Sequence, residues 1–137
     1  MERMNLHEIR VRAFLIEAQE EMDTFLVAFA DDSEQPENVL ELQRALAGSE
    51  LAEQDSGTDM DTYCLVWNAG PTHYGGVSSC VLRASNLTIR FTPEAALVFG
   101  TEGFLLHLKL DEAEWATLRE GLSIVFAERE PQELVLE

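Results

Sequence analysis

The chain has 137 residues, of which 46% are apolar, and its 26 Asp and Glu residues against 9 Lys and Arg residues give a formal net charge of -17. This length fits a single domain, and the apolar fraction is sufficient for a hydrophobic core, which excludes a disordered acidic tail. The charge repels polyanions, so it disfavours direct binding to nucleic acid or to an anionic membrane and favours cationic partners. Acidity of this kind also serves solubility alone.

The distribution of charged and sulfur-containing residues indicates a compartment. Residues 1–16 carry charges throughout, unlike a signal peptide, and no stretch approaches the ~20 apolar residues that cross a membrane. Cys64 and Cys80 occur in apolar segments without CxxC spacing or an adjacent His. This pattern predicts two buried thiols and no metal or redox site, in a cytoplasmic protein.

The first half of the chain predicts β-structure. Residues 6–18 alternate apolar and polar side chains with a period of two, which predicts one long strand with room for a bulge. Residues 24–30 are β-branched and aromatic enough to form the return strand of a hairpin. Residues 39–46 fit either a helical face or a short strand, and we favour the strand. After an exposed polar connection at 48–61, residues 62–68 predict another strand.

The second half predicts three more strands and two helical segments. The strands are expected at 77–83, 87–92 and 104–110, and residues 93–99 could make one helical turn between the last two. A longer helix is predicted over 111–127. Its first residue, Asp111, is followed three positions later by Glu114, as in a capping box.

Apolar residues recur at helical spacing along this last helix, so one of its faces should lie on the sheet. They are Trp115, Leu118, Leu122, Val125 and Phe126. The tail at 128–137 is acidic and contains Pro131, which fits an extended arm or a frayed end. The sequence therefore predicts a single α+β domain with a core at about 6–127. Its mainly antiparallel sheet of about six or seven strands carries one C-terminal helix packed on a face.

Candidate catalytic motifs are weak. The tetrapeptide from Asp55 to Thr58 matches the Asp-Ser/Thr-Gly-Ser/Thr sequence of aspartic proteases, but it follows polar residues and not a buried strand. Asp55, Asp59 and Asp61 offer oxygen ligands to a divalent cation without the spacing of an EF-hand. Among the histidines, only His73, in a Gly-rich loop, has a surrounding that suits a function. We therefore predict no enzyme, no catalytic residues, no metal and no cofactor.

Several short motifs follow one another along most of the chain. They are Leu42-Gln43-Arg44, Asp55, Asp59-Met60-Asp61-Thr62-Tyr63-Cys64, Tyr74-Gly75-Gly76-Val77, Leu87-Thr88-Ile89-Arg90-Phe91 and the helix at 118–126. In this order the chain resembles the immunity protein 10 family of bacterial polymorphic toxin systems. The resemblance implies a cytosolic protein that binds and neutralises a cognate toxin protein, with no catalytic residues and no cofactor.

The charge pattern indicates candidate partner-binding residues. Between residues 17 and 61 there are fourteen carboxylates and a single base, Arg44. An acidic inhibitor would associate rapidly with a basic toxin such as a nuclease. We predict that the contact group consists of Glu50, Glu53, Asp55, Asp59 and Asp61.

Two other functions stay open on the sequence alone. One is a β-rich domain that binds a small ligand in a pocket lined by Phe25, Phe29, Trp67 and Phe91. The other is a small hydrolase that uses the acidic loop. Edge strands and the apolar tail residues 134–136 also suggest packing against a second copy in a homodimer.

Overall fold

The computed structural model describes residues 6–46, 62–126, 131 and 133–136. In chain order, the strands are β1 (Leu6–Arg10), β2 (Ala13–Gln19), β3 (Thr24–Ala30), β4 (Val39–Ala45), β5 (Cys64–Trp67), β6 (Thr72–Tyr74), β7 (Val77–Leu82), β8 (Asn86–Phe91), β9 (Gly103–His107) and β10 (Glu133–Leu136). A 3-10 turn (Glu20–Met22) joins β2 to β3, and the helices are α1 (Pro93–Phe99) and α2 (Glu112–Val125). The α+β prediction is confirmed, although the strands form two five-stranded sheets and not one sheet.

Five consecutive strands, β2 to β6, form an antiparallel sheet that we call the meander sheet. The predicted hairpin is present, because β2 and β3 pair along their whole length from Ala13 opposite Ala30 to Gln19 opposite Thr24. The ambiguous segment at 39–46 is a strand, as favoured, since it pairs with β3 and β5 on its two sides. The three-residue strand β6 was not predicted from the sequence.

The other sheet, which we call the mixed sheet, has the order β1-β9-β8-β7-β10. Its centre is antiparallel, but each edge strand pairs in parallel: β1 with β9, and β10 with β7. The tail residues predicted as an extended arm or frayed end thus form a strand of their own chain, with Leu134 opposite Cys80 and Leu136 opposite Leu82. Their backbone pairs with β7 of the same chain, and packing of these residues on a second copy in a homodimer stays a prediction.

The predicted long strand at 6–18 is divided between the two sheets. Val11 donates its N–H to the carbonyl of His107 in the mixed sheet, and Arg12 donates to the carbonyl of Ala30 in the meander sheet, both near 3.0 Å. The crossing changes which side chains face inward. Ile9 is buried before it, whereas Phe14 and Ile16, and not Ala13 and Leu15, continue the packed face after it. A period-two pattern in the sequence does not reveal such a change of sheet.

One hydrophobic cluster joins buried residues of both sheets and both helices. Helix α2 packs on β2, β3 and β4, where a Cβ at Gly121 would lie 2.8 Å from the Cγ2 of Ile16. The predicted stripe is confirmed as core: Leu118, Leu122 and Val125 are fully buried and Phe126 nearly so, while Trp115 is half-buried. The predicted capping box is also present. The Asp111 carboxylate accepts from the Glu114 amide at 2.8 Å, and the Glu114 carboxylate accepts from the Asp111 amide at 3.1 Å.

The short helix α1 is longer than the single turn predicted for it. The Thr92 hydroxyl accepts from the Ala95 amide at its start, and Gly100 ends it with a left-handed backbone. Helix α1 lies against β6 and β8. Within the described ranges, no helix is long and apolar enough to cross a membrane.

Candidate functional site

The acidic turn at 20–23, between β2 and β3, concentrates exposed charge at one end of the meander sheet. Glu20, Glu21 and Met22 form the 3-10 turn, and Asp23 ends it in a left-handed conformation with φ of 51°. The Asp23 amide donates to the Glu20 carbonyl, and the Thr24 hydroxyl donates to the Met22 carbonyl at 2.8 Å. These bonds define the backbone of the turn, which presents the exposed Glu20 and Glu21 and the partly buried Asp23.

The acidic turn adjoins the end of β4, the last described element before the predicted contact residues in the sequence. Leu46, the last described residue before the gap, donates its amide to the Asp23 carbonyl at 2.8 Å. The predicted contact residues Glu50, Glu53, Asp55, Asp59 and Asp61 all lie outside the described residues. Leu46, the last described residue before them, therefore lies beside the acidic turn.

Many described carboxylates elsewhere are occupied by hydrogen bonds within the chain. Asp31 accepts from the amides of Glu37 and Asn38 and from the Asn38 side chain, and the Asn38 backbone bond is the main reason its pKa lies below the ordinary value. Asp32 accepts from the Glu34 and Gln35 amides. The carboxylates of the acidic turn make no side-chain hydrogen bond or ion pair with any described residue, and the same holds for dispersed carboxylates such as Glu34, Glu37 and Glu120. The acidic turn differs from these in that it brings three such carboxylates into four consecutive residues.

Exposed apolar surface accompanies this charge. The Met22 side chain is 66% exposed at the tip of the acidic turn, between Glu21 and Asp23. Methionine is flexible and is enriched in protein interfaces, where it adapts its shape to the partner. An apolar tip with a carboxylate rim suits a protein surface that is cationic around an apolar patch.

Arg44, the single base between residues 17 and 61, binds the end of helix α2. Arg44 lies on β4 opposite Phe25, and its Nη1 donates to the Val125 carbonyl at 3.0 Å. Val125 is the last residue of α2, so the guanidinium meets the negative end of the helix dipole. This contact ties β4 to α2.

Each of the three histidines contacts a backbone group or side chain of the fold. His73 Nδ1 lies 3.0 Å from the Gly75 carbonyl, and since a carbonyl can only accept, Nδ1 carries the proton. This bond holds the turn between β6 and β7, where Gly76 has φ of 96°. His107 Nε2 pairs with Glu8 at 2.9 Å, and the His7 ring packs edge-on against Trp67. Within the described ranges, no group of three His, Cys, Asp or Glu residues could hold a metal ion.

The aromatic residues of the ligand-pocket alternative belong to the core. Phe29 is fully buried and Phe91 nearly so, and Phe25 and Trp67 pack against the same cluster. The Trp67 ring lies 4.7 Å from the Phe104 ring, which joins the two sheets. Within the described part of the chain, these four side chains fill the core.

Both cysteines are buried free thiols, as predicted. Burial raises the pKa of Cys80 from 9.0 to about 12, and burial together with the charge of Glu41 raises the pKa of Cys64 to about 11. The thiolate is the reactive form, so the native thiols are inert near neutral pH.

We expect Ellman's reagent at pH 8 to label both thiols far more slowly in the native chain than in guanidinium. Below pH 9 each thiol is protonated in the folded chain and in the unfolded chain. Above pH 9 the thiols of the unfolded chain ionise first. The free energy of unfolding should therefore fall as the pH rises from 9 toward about 12. Native labelling at the unfolded rate would contradict the burial of these thiols.

Comparison with known proteins identifies one family. The sequence model of Immunity protein 10 matches residues 10–116, which is 107 of the 137 residues. The match spans β2 to β9 and includes the acidic turn. No curated protein and no solved structure gives a significant match.

Proposed function

The chain belongs to the immunity protein 10 family, and from this premise we propose that it neutralises a cognate toxin of a bacterial polymorphic toxin system by stoichiometric, non-catalytic binding. The inhibitor acts in the cytoplasm of the producing cell, where the toxin would otherwise reach its target. The partner is a toxin domain with a cationic surface, for which a nuclease is the leading candidate, because a nuclease must attract phosphate.

The observation that supports this proposal is the uncompensated acidic turn. Glu20, Glu21 and Asp23 have no cationic partner among the described residues. Leu46, which bonds to Asp23, precedes a stretch of sequence that holds five further carboxylates. Charges without an internal partner remain available to an external cation. Complementary charge accelerates encounter, up to ~10^8 to 10^9 per molar per second at low salt.

The primary experiment is co-expression with the toxin domain encoded beside this gene in a sensitive bacterial host. We expect restored growth and a one-to-one complex that survives size-exclusion chromatography. Loss of growth despite soluble expression of the chain, with no complex recovered, would contradict the proposed function.

A charge reversal tests whether the predicted contact segment steers association. We expect the triple variant Glu53→Lys, Asp55→Lys and Asp59→Lys to associate with the toxin at least tenfold more slowly at low salt, while its fold persists. Since the Debye length is only ~8 Å at 0.15 M ionic strength, added salt should slow association of the unaltered chain much more than it speeds dissociation. Binding kinetics across a salt series measure both effects.

A matched reversal controls for net charge. Glu34, Glu37 and Glu120 are exposed; the first two lie in the β3–β4 loop, at the opposite end of β3 from the acidic turn, and Glu120 lies on α2. Reversing these three to Lys changes the net charge by the same amount, yet it should slow association much less. Equal rates for the two triple variants would place the interface elsewhere and reduce the acidity to a solubility trait.

The absence of catalysis is tested at Asp55, the first residue of the protease-like tetrapeptide. We expect neither the unaltered chain nor Asp55→Asn to hydrolyse peptide or ester substrates above background, because inhibition requires only binding. Peptide and ester hydrolysis assays of both proteins, with toxin binding measured in parallel, give the result. Turnover by the unaltered chain that Asp55→Asn abolishes would favour the small-hydrolase alternative.

A further inference from the structure

A polar cleft lies at the junction of the two sheets, at the end of the meander sheet opposite the acidic turn. It encloses about 880 Å³ where the chain crosses from β1 to β2, and β9, the β3–β4 loop and the β7–β8 turn complete its walls. Backbone bonds set this junction: Val11 donates to His107, and Leu108 donates to Ser85 at 2.9 Å. The lining residues are Arg10, Val11, Arg12, Asp32, Ser33, Ser85, His107, Leu108 and Lys109.

Three of the nine Lys and Arg residues of the chain meet at this cleft. Arg10, Arg12 and Lys109 are exposed, and none of their side chains forms a hydrogen bond or ion pair with a described residue. Other bases have internal roles: Arg44 binds the end of α2, and the Arg119 guanidinium lies 5.5 Å from the centre of the Trp115 ring. In a chain with an excess of seventeen negative charges, these three cations around one concavity are available to a ligand of opposite charge.

The cleft also supplies neutral donors and little opposing charge. The hydroxyls of Ser33 and Ser85 make no hydrogen bond with a described residue, so both can donate to an oxyanion. One carboxylate residue lines the cleft, Asp32, and it accepts from two amides of its own loop; Glu8 is paired with the lining residue His107. Their charges are therefore partly satisfied before any ligand arrives.

The distance from the acidic turn isolates the cleft electrostatically. Arg12 bonds to Ala30 at one end of β3, and the acidic turn precedes Thr24 at the other end. Six steps along a strand span about 20 Å, which exceeds the Debye length of ~8 Å at physiological salt. The acidic turn therefore does little to weaken the attraction of an anion to the three cations.

We propose that this cleft binds a small anion that carries two or more phosphate groups, of the pyrophosphate or nucleotide class. Three cations and two hydroxyls match several phosphate oxygens, and a concavity of this size is typical of small-molecule sites. A long polyanion is disfavoured because it would extend over the acidic remainder of the surface. This proposal does not rest on the proposed toxin binding.

Titration of the full chain with inorganic pyrophosphate tests the proposal. We expect saturable one-to-one binding by calorimetry, with chemical-shift changes at the amides of Val11, Ser85 and Leu108. The double variant Arg12→Gln and Lys109→Gln should weaken binding at least tenfold, whereas Arg90→Gln, which removes an exposed base from β8, should change it less than twofold. Arg10→Gln serves as a second cleft variant if the double variant fails to fold.

Three results would overturn the proposal. They are no saturable binding at millimolar pyrophosphate, equal weakening by the cleft variants and Arg90→Gln, or tighter binding of a single-stranded oligonucleotide than of pyrophosphate to the same amides. The last result would identify a nucleic-acid contact instead of a small-ligand site. Toxin binding by the double variant should be unchanged, which separates this test from that of the proposed function.

Discussion

Leu118→Ala is expected to lower the free energy of unfolding by ~2 to 5 kcal/mol. Leu118 lies on the face of α2 that packs on the meander sheet, and its side chain is 0% exposed. Truncation removes buried methyl groups and leaves a cavity, because a densely packed core relaxes only partly around the gap. Urea unfolding followed by circular dichroism measures the loss.

Ile124→Ala is the matched control on the same helix. Its side chain is 41% exposed, so we expect a loss below ~1 kcal/mol. Comparison of the two variants separates core burial from helix propensity, which both substitutions alter only slightly. A loss below ~1 kcal/mol for Leu118→Ala, with the native fold retained, would mean that the α2 stripe faces solvent or a partner.

Gly103→Ala is expected to destabilise the chain by at least ~3 kcal/mol, because β9 has no room for a side chain at this position. A Cβ there would overlap the carbonyl oxygen of Ile89 and lie 3.0 Å from the Cα of Arg90. Both obstacles are backbone atoms of β8, so a rotamer change cannot relieve them. Gly103 also pairs with Leu6 of β1, and a shift of β9 would disturb both of its neighbours.

Gly70→Ala provides the contrast. A Cβ at Gly70 would approach no atom more closely than the 3.5 Å to the Trp67 carbonyl, which is ordinary van der Waals contact. Thermal unfolding of the two variants should show a large decrease in Tm for Gly103→Ala and little change for Gly70→Ala. Equal midpoints would contradict the close approach of β8 and β9.

The two charged regions divide the surface of this immunity protein. The acidic turn and the cleft lie at opposite ends of the β2–β3 hairpin, since Gln19 pairs with Thr24 at one end and Arg12 bonds to Ala30 at the other. A cationic toxin is expected at the first end and a small phosphorylated anion at the second. The two sites can therefore be altered separately, which makes their tests independent.

Local signals in the sequence predicted much of the fold. Asp111 and Glu114 predicted the start of α2 because a capping box depends only on residues three positions apart. The stripe that contains Leu118 and Leu122 predicted its buried face, since helical periodicity is a property of a continuous segment. Burial of Cys64 and Cys80 likewise follows from their apolar neighbours. The predicted contact carboxylates from Glu50 to Asp61 lie outside the described residues and remain a prediction.

The sequence by itself determined the segments, whereas tertiary structure decided how they combine. The change of sheet between Val11 and Arg12 depends on acceptors at His107 and Ala30, and the pairing of β10 with β7 joins residues more than fifty positions apart. The pairing of β1 with β9, which places Arg10 opposite His107, brings Arg10, Arg12 and Lys109 to one cleft. Such contacts depend on which distant backbone groups satisfy each other, and local periodicity carries no information about that choice.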